Sequence, residues 1–162
     1  MQMRRVDRAM SQEWAWSLLA KGEYGILATI GEDHIPYAIP LSYIVDEQKI
    51  YFHSALEGRK ITNITFCQDV CFTVVGRTHP VYDHNFTTYF ESVIITGTMF
   101  TVEDPKEKTR ILYKLAEKYL PGFLDYAEPA IKKSLARTGV LGIKVREITG
   151  KAKLPKSEQA WN

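Results

Sequence analysis

One short segment of the chain combines the residue types that bind a phosphate group. It reads Phe52-His-Ser-Ala-Leu-Glu-Gly-Arg-Lys60, with an imidazole and a hydroxyl at a strand end and two cations at a helix start. The free N–H groups and the dipole of a helix N-terminus favour an anion, whereas cations placed there oppose the dipole. The segment therefore predicts a phosphate site. A solvated helix face with a structural strand histidine remains the alternative.

A second group of residues raises the question of a zinc site. Cys67 and Cys71 are followed by His79 and His84, with seven residues between Cys71 and His79. Zinc fingers usually have about twelve residues there, and Cys71 lies inside an apolar run. We therefore favour buried reduced thiols over a metal site.

The composition fits one soluble globular domain spanning residues 1–162. Hydrophobic residues make up 45% of the chain and charged residues 25%, which excludes a disordered or collagen-like protein. A net charge of +2 is too small to indicate nucleic-acid binding, but it allows a local pocket for one anion. The N-terminus lacks a signal peptide and no window resembles a membrane span, so we expect a cytoplasmic protein without a membrane partner.

Hydrophobic periodicity predicts a mainly antiparallel α+β barrel with flanking helices. The expected strands are residues 24–30, 35–45, 49–53, 70–75, 89–102 and 140–148. The expected helices are residues 11–22, 59–66, 103–119 and 123–137, the last of them kinked or split by Pro129.

The second strand carries an unusual pair of prolines. Its larger residues alternate toward one face, while Pro36 and Pro40 lie on the other. Proline cannot donate a ladder hydrogen bond, which indicates an edge strand, a bulge or an interrupted ladder. Backbone groups of this strand are therefore expected to face a ligand or a partner.

Five segments, taken in order, resemble the FMN-binding split barrels related to pyridoxamine 5′-phosphate oxidase, and within them the nitroimidazole-resistance branch. The resemblance covers nearly the whole chain. The segments are Tyr24-Gly-Ile-Leu-Ala-Thr, Pro36-Tyr-Ala-Ile-Pro-Leu-Ser-Tyr, Lys49-Ile-Tyr-Phe-His-Ser-Ala-Leu-Glu-Gly-Arg-Lys, Phe86-Thr-Thr-Tyr-Phe-Glu-Ser-Val-Ile and Ile148-Thr-Gly-Lys.

The resemblance implies a six-stranded antiparallel split β-barrel that forms a homodimer, with FMN at the subunit interface. His53 would lie beside the flavin as the candidate catalytic residue, and Trp161 would cap the ring. The expected cofactor-binding residues are Ile39, Pro40, Leu41 and Ser42 along the isoalloxazine, Tyr43 at a position that contacts FMN in the oxidases, His53 beside the flavin, Ser54, Arg59 and Lys60 at the phosphate, Tyr89, Glu91 and Ser92 from the other subunit, and Trp161.

Two departures from the oxidases bear on function. The oxidases place an Arg and a Lys where this chain has Ala38 and Tyr43, and the chain lacks their C-terminal Arg-His motif. Vitamin B6 oxidase activity is therefore not expected. The resemblance predicts instead an FMN-dependent oxidoreductase acting on a small planar acceptor such as a nitroaromatic, for example a 5-nitroimidazole.

Whether the protein turns over stays open in the sequence. No Gly-x-Gly-x-x-Gly nicotinamide motif follows a strand, so a non-catalytic flavin carrier is one alternative. Haem binding with His53 or His84 as axial ligand is another. Residues 82–90 are expected to form a loop that closes over the site from the neighbouring subunit, with an ordinary polar connector as the alternative.

Overall fold

The computed structural model describes residues 3–82, 86–157 and 161. These residues form eight strands and four α-helices. The strands are β1 (Ala9–Met10), β2 (Tyr24–Ile30), β3 (Pro36–Ser42), β4 (Ile44–Asp46), β5 (Lys49–Ser54), β6 (Asp69–Tyr82), β7 (Phe86–Thr101) and β8 (Gly139–Lys153). The helices are α1 (Gln12–Lys21), α2 (Arg59–Phe66), α3 (Pro105–Tyr119) and α4 (Leu124–Ser134).

All strands belong to one antiparallel sheet, which confirms the split-barrel α+β fold class. Seven of them follow the order β3-β2-β6-β7-β8-β5-β4, and the two-residue β1 pairs with β8 beside this path. The sheet curls so that β3 approaches β5. The expected count of six strands was wrong because the strand predicted over residues 35–45 is divided at Tyr43 into β3 and β4, and because the two-residue β1 was not predicted.

The alternation predicted for β3 is confirmed. Ile39 and Leu41 pack against the main core cluster, whereas Pro36, Ala38 and Pro40 are exposed on the opposite face. Among the described residues β3 pairs only with β2, so it forms one edge of the sheet, as the two prolines indicated. The curled sheet encloses a core of aliphatic and aromatic side chains that includes Leu27, Phe52, Phe72, Ile95 and Ile143.

β6 and β7 form a hairpin that is longer than expected. They remain paired out to Tyr82 and Phe86. The loop predicted over residues 82–90 was therefore wrong for residue 82 and for residues 86–90, which belong to the strands. His84, considered above as a metal or haem ligand, lies outside the described residues. The register of β7 against β8 shifts between Thr96 and Gly97.

The helices begin and end close to the predicted positions. Ser11 caps α1 by accepting a hydrogen bond at 3.2 Å from the backbone N–H of Trp14, and Asp104 caps α3 in the same way through Glu107. α4 contains Pro129 without being split, and a short 3₁₀ turn follows it at residues 135–137.

Within the described ranges, no helix is long and apolar enough to cross a membrane. The same residues contain no group of three or more His, Cys, Asp or Glu side chains arranged to hold a metal ion. Cys67 and Cys71 are both free thiols and are partly buried.

The end of α3 fastens the junction between β3 and β4. The hydroxyl of Tyr119 accepts a hydrogen bond from the backbone N–H of Tyr43 at 2.8 Å and lies 2.5 Å from the carbonyl oxygen of Glu23. The ammonium group of Lys118 donates to the carbonyl oxygens of Gly22 and Tyr43 at 2.7 and 3.0 Å. These bonds replace ladder bonds at the residue where the strand is interrupted.

We predict that Tyr119→Phe lowers the free energy of unfolding by about 1–3 kcal/mol, because it leaves the buried N–H of Tyr43 without its acceptor. Tyr113→Phe is the matched control, since Tyr113 lies on the same helix and is exposed. Urea unfolding of the two variants tests this, and equal midpoints would contradict it.

Candidate functional site

The start of α2 has the features of a phosphate-binding site. Gly58 precedes the helix with φ of 110° and no heavy atom within 4 Å of the position a Cβ would occupy. The positive φ alone favours glycine here, because the space beside it would accept a side chain. No side chain in the described part of the chain caps the helix, and its first turn contains Arg59 and Lys60 with no acidic residue. We call Gly58, Arg59 and Lys60 the phosphate cradle.

The two cations of the cradle differ in their contacts. The guanidinium group of Arg59 donates to a carboxylate oxygen of Asp33 at 2.9 Å and lies over the ring of Tyr37, 5.1 Å from its centroid. Asp33 is itself held by the turn between β2 and β3, because its other carboxylate oxygen accepts the N–H of Ile35 at 3.0 Å. Lys60 makes no such contact with the described part of the chain. It is therefore the less restrained cation.

His53 and Ser54 end β5 beside this cradle. Ser54 is buried and its hydroxyl donates to the carbonyl oxygen of Ala55 at 2.5 Å. His53 is exposed, and no described residue hydrogen-bonds to its imidazole. The imidazole is therefore accessible to a small molecule at the surface.

The edge of β3 offers backbone groups to a ligand. In an antiparallel ladder, alternate residues turn their backbone N–H and C=O groups away from the paired strand. Pro36 and Pro40 lack an N–H and therefore fit these outward positions. Ala38 and Ser42 lie two residues from a proline, so their backbone groups point the same way. The carbonyl groups of this set and the N–H groups of Ala38 and Ser42 therefore face the open edge.

Tyr43 contributes its side chain to the core. The residue is fully buried, and its hydroxyl donates to the carbonyl oxygen of Leu19. Burial raises the pKa of this phenol above its usual value. The side chain of Tyr43 thus has no surface to present to a ligand, although its backbone is adjacent to the β3 edge.

Three other residues predicted to bind the cofactor, Tyr89, Glu91 and Trp161, lie close together around Arg77, away from the phosphate cradle. The ring of Trp161 lies edge-on to Tyr89 with centroids 6.2 Å apart, and the guanidinium group of Arg77 lies 4.3 Å from the centroid of the same ring. Arg77 also pairs with Glu91 at 3.0 Å. We call Arg77, Tyr89, Glu91 and Trp161 the Arg77 cluster. Ser92 is next to it on the outer face, where its hydroxyl donates to the carbonyl oxygen of Lys151 at 3.2 Å.

A cavity of about 740 Å³ opens beside this cluster. Its walls are α1, the start of β2 and the part of β6 that carries Arg77, and they combine aromatic, aliphatic and charged side chains. The residues that line it include Trp14, Leu18, Lys21, Tyr24, Val75 and Glu91.

The carboxylate of Glu91 stays charged despite its burial. Burial acts to raise the pKa of this carboxyl, but the hydrogen bonds and the charge of Arg77 outweigh that effect and hold the pKa below its usual value. A buried carboxylate in a strand needs such a partner, because an unpaired buried charge is strongly unfavourable.

The phosphate cradle and the Arg77 cluster do not meet within one chain. Asp33, which contacts the cradle, follows the end of β2, whereas the cavity beside the cluster is lined by Tyr24 at the start of β2. The six residue steps of this strand span about 20 Å. A ligand that touches both groups of residues within a few ångströms would therefore need a second chain.

Sequence reasoning missed Arg77 and Asp33. A signal for Arg77 was present, since Glu91 lies in a long apolar strand and a charge buried there requires a cation. Asp33 gave no comparable signal, because acidic residues are common in turns.

The chain matches the family model described as pyridoxamine 5′-phosphate oxidase over residues 11–152. A search of curated protein sequences finds no match. Structural comparison finds many similar folds, and each of those described next is less than 25% identical to this chain, so each supports the fold alone.

A candidate 5-nitroimidazole antibiotic resistance protein from Bacteroides thetaiotaomicron is 23% identical, with a TM-score of 0.76 over 89% of this chain and 86% of that one. A flavocytochrome from Azotobacter vinelandii is 21% identical, with a TM-score of 0.83 over 99% and 77%. A protein from Mycobacterium smegmatis that binds FAD and haem is 17% identical, with a TM-score of 0.76 over 93% and 76%.

The curled antiparallel sheet, its flanking helices and a family match that covers most of the sequence lead to one conclusion: this chain belongs to the pyridoxamine 5′-phosphate oxidase family.

Proposed function

We propose that the protein binds FMN and uses it to reduce a small planar acceptor such as a nitroaromatic. The observation that carries this proposal is the phosphate cradle beside the open edge of β3. A helix N-terminus with two cations and a positive-φ glycine suits one phosphate group. The edge of β3 suits the polar rim of a flat ring, because its backbone groups are unpaired.

In this arrangement Lys60 and Arg59 hold the phosphate, with Ser54 behind them, and β3 from Ile39 to Ser42 lies along the isoalloxazine. Arg59 already donates to Asp33, so its guanidinium group would be shared between that carboxylate and the phosphate. Lys60 is therefore the principal charged contact. The side chains of Ile39 and Leu41 point into the core and their backbone groups face β2, so the backbone groups at the open edge of this stretch are those of Pro40 and Ser42.

We further propose that two copies of the chain share the site. The Arg77 cluster borders the cavity at the start of β2 and the phosphate cradle contacts the turn after its end, with a strand of about 20 Å between them, which suggests that the cluster and Ser92 complete the site of a second subunit. The outer face of the sheet supports this arrangement, because Tyr24, Val75 and Ile94 expose apolar side chains there. Contiguous exposed apolar surface of this kind commonly marks an interface.

His53 is the residue we assign to proton transfer. A bound flavin supplies the electron-transfer chemistry, while the protein sets orientation and access. His53 is exposed at the end of β5, close to the cradle in the chain, and histidine is the side chain that most readily exchanges a proton near neutral pH.

The similar structures favour one alternative. They include a flavocytochrome and a protein that binds FAD and haem, so this chain is also a candidate for binding flavin or haem without turnover. Haem titration separates this possibility, since a Soret band that disappears in His53→Ala would support an axial role for His53.

Lys60→Ala should weaken FMN binding about ten- to a hundredfold, because a charge-assisted contact to phosphate is lost. Lys106→Ala is the matched control, since Lys106 also lies in the first turn of a helix and is exposed. Fluorescence titration with FMN gives the dissociation constants, and titration with FAD tests the preference for a single phosphate. Equal affinities for the two variants would place the phosphate elsewhere.

Turnover is tested by mixing the FMN-loaded protein with reduced nicotinamide and a nitroaromatic under anaerobic conditions. We expect flavin reduction followed by reoxidation on addition of the acceptor. His53→Gln should keep FMN affinity but lower kcat about a hundredfold and flatten its pH profile, because a proton donor is lost. Flavin that stays oxidised with every reduced nicotinamide would favour the carrier function.

A further inference from the structure

β6 contains a bulge that brings Arg77 against Glu91. The register with β7 shifts between Val75 and Thr78, so Gly76 and Arg77 lie outside the regular ladder. A Cβ at Gly76 would come within 2.9 Å of the Cβ of Glu91 and of a methyl carbon of Leu18. Glycine at this position therefore allows the close approach of β6 to the Glu91 side chain.

Glu91 fixes the orientation of Arg77 through three contacts. One carboxylate oxygen accepts the backbone N–H of Arg77 at 3.1 Å and its Nε at 3.2 Å, and the other accepts Nη2 at 3.0 Å. Glu91 is buried, whereas the side chain of Arg77 is about half exposed. A planar guanidinium group held along one edge by two hydrogen bonds loses little further freedom when a ring lies against its face.

Trp161 uses this held guanidinium group as its support. Arg77 lies 4.3 Å from the centroid of the indole, within the range of a cation–π contact, and the indole in turn meets Tyr89 edge-on. Arg77 therefore joins three residues that come from β7 and from the C-terminal end of the chain.

We propose that Arg77 is a positioning residue of the flavin site, which holds Trp161 in place for the ring of an FMN bound mainly by the second subunit. The inference rests on the proposed function, because the Arg77 cluster meets a flavin only if the two copies share the site. Arg77 acts through Trp161 and Glu91, so its removal weakens FMN binding without removing a phosphate contact.

The pair between Arg77 and Glu91 should also make stability depend on pH. Arg77 from β6 and Lys21 from α1 are the charged groups that act on Glu91 and, against its burial, they hold its folded-state pKa below the ordinary value near 4.5. The pair therefore stabilises the fold above that pH, and this contribution is lost as pH falls through the lower, folded-state pKa. Urea unfolding from about pH 7 to about pH 3 should show a steeper loss for the wild type than for Glu91→Gln. Parallel curves would contradict the assignment.

The decisive experiment uses protein labelled with 5-fluorotryptophan, which gives one ¹⁹F signal for each of Trp14, Trp16 and Trp161. Trp161→Phe assigns the third signal. We expect FMN to shift the Trp161 signal in the wild type. Arg77→Met should move that signal already without FMN, reduce the FMN-induced shift and weaken FMN binding about five- to tenfold.

Arg8→Met is the matched control. It removes the same charge, and Arg8 likewise lies over an aromatic ring of β7, 5.9 Å from the centroid of Phe90, which is not a residue of the Arg77 cluster. FMN affinity and the Trp161 signal should stay at wild-type values in this variant. A second variant, Arg77→Met with Glu91→Gln, keeps the test informative if the single change unfolds the protein, because it leaves no buried unpaired charge.

The outcomes separate the two proposals. If the wild type does not bind FMN, the proposed function fails and the role of Arg77 in a flavin site fails with it. If the wild type binds FMN but Arg77→Met and the double variant bind it equally well, only the role of Arg77 is overturned. The same holds if FMN leaves the Trp161 signal unmoved.

Discussion

β3 forms ladder hydrogen bonds along one edge, with β2, and its other edge is open among the residues that the structure describes. β3 is the last strand of the curled sheet, and two of its outward positions are prolines that need no donor partner. An exposed strand edge is usually blunted by charge, by a bulge or by a covering element, because it would otherwise pair with another chain. Here the prolines limit such pairing while several carbonyl groups and two N–H groups remain available. The edge is thus suited to a small ligand more than to another strand.

The rest of the structure keeps this edge in place and open. The end of α3 bonds to the backbone at Tyr43, so the chain leaves β3 at a defined point and returns as β4 and β5. β5 then delivers His53 and Ser54, and α2 starts a few residues later with its two cations. A local order of strand, loop and helix therefore determines which polar groups surround the edge. The carbonyl contacts of Lys118 and Tyr119 are structural, but they act directly next to the proposed ring site.

The parts of this arrangement that were predictable depend on neighbours in sequence. The alternation in β3, the prolines and the cations after Gly58 all lie within short windows, where residue spacing indicates structure directly. The interruption at Tyr43 was not predictable in this way, since the alternation continues through it and the cause is a hydroxyl 76 residues away. The outer end of the β6–β7 hairpin, where Tyr82 pairs with Phe86, was also missed, because exposed strands lack a buried face and their sequence resembles that of a loop. Arg77 needed knowledge of the bulge before it could be connected with Glu91.

The two arginines of the candidate site illustrate how burial changes the role of an ion pair. Arg59 and Asp33 are both close to half exposed, so water screens their attraction and a phosphate can share the guanidinium group at little cost. Glu91 is nearly inaccessible, so separating it from Arg77 would leave a buried charge without a partner. The first pair can adapt to a ligand, whereas the second holds a fixed geometry. In the proposed site shared by two chains, the adaptable contacts would accept the phosphate and the rigid contacts would hold the aromatic residues against the ring.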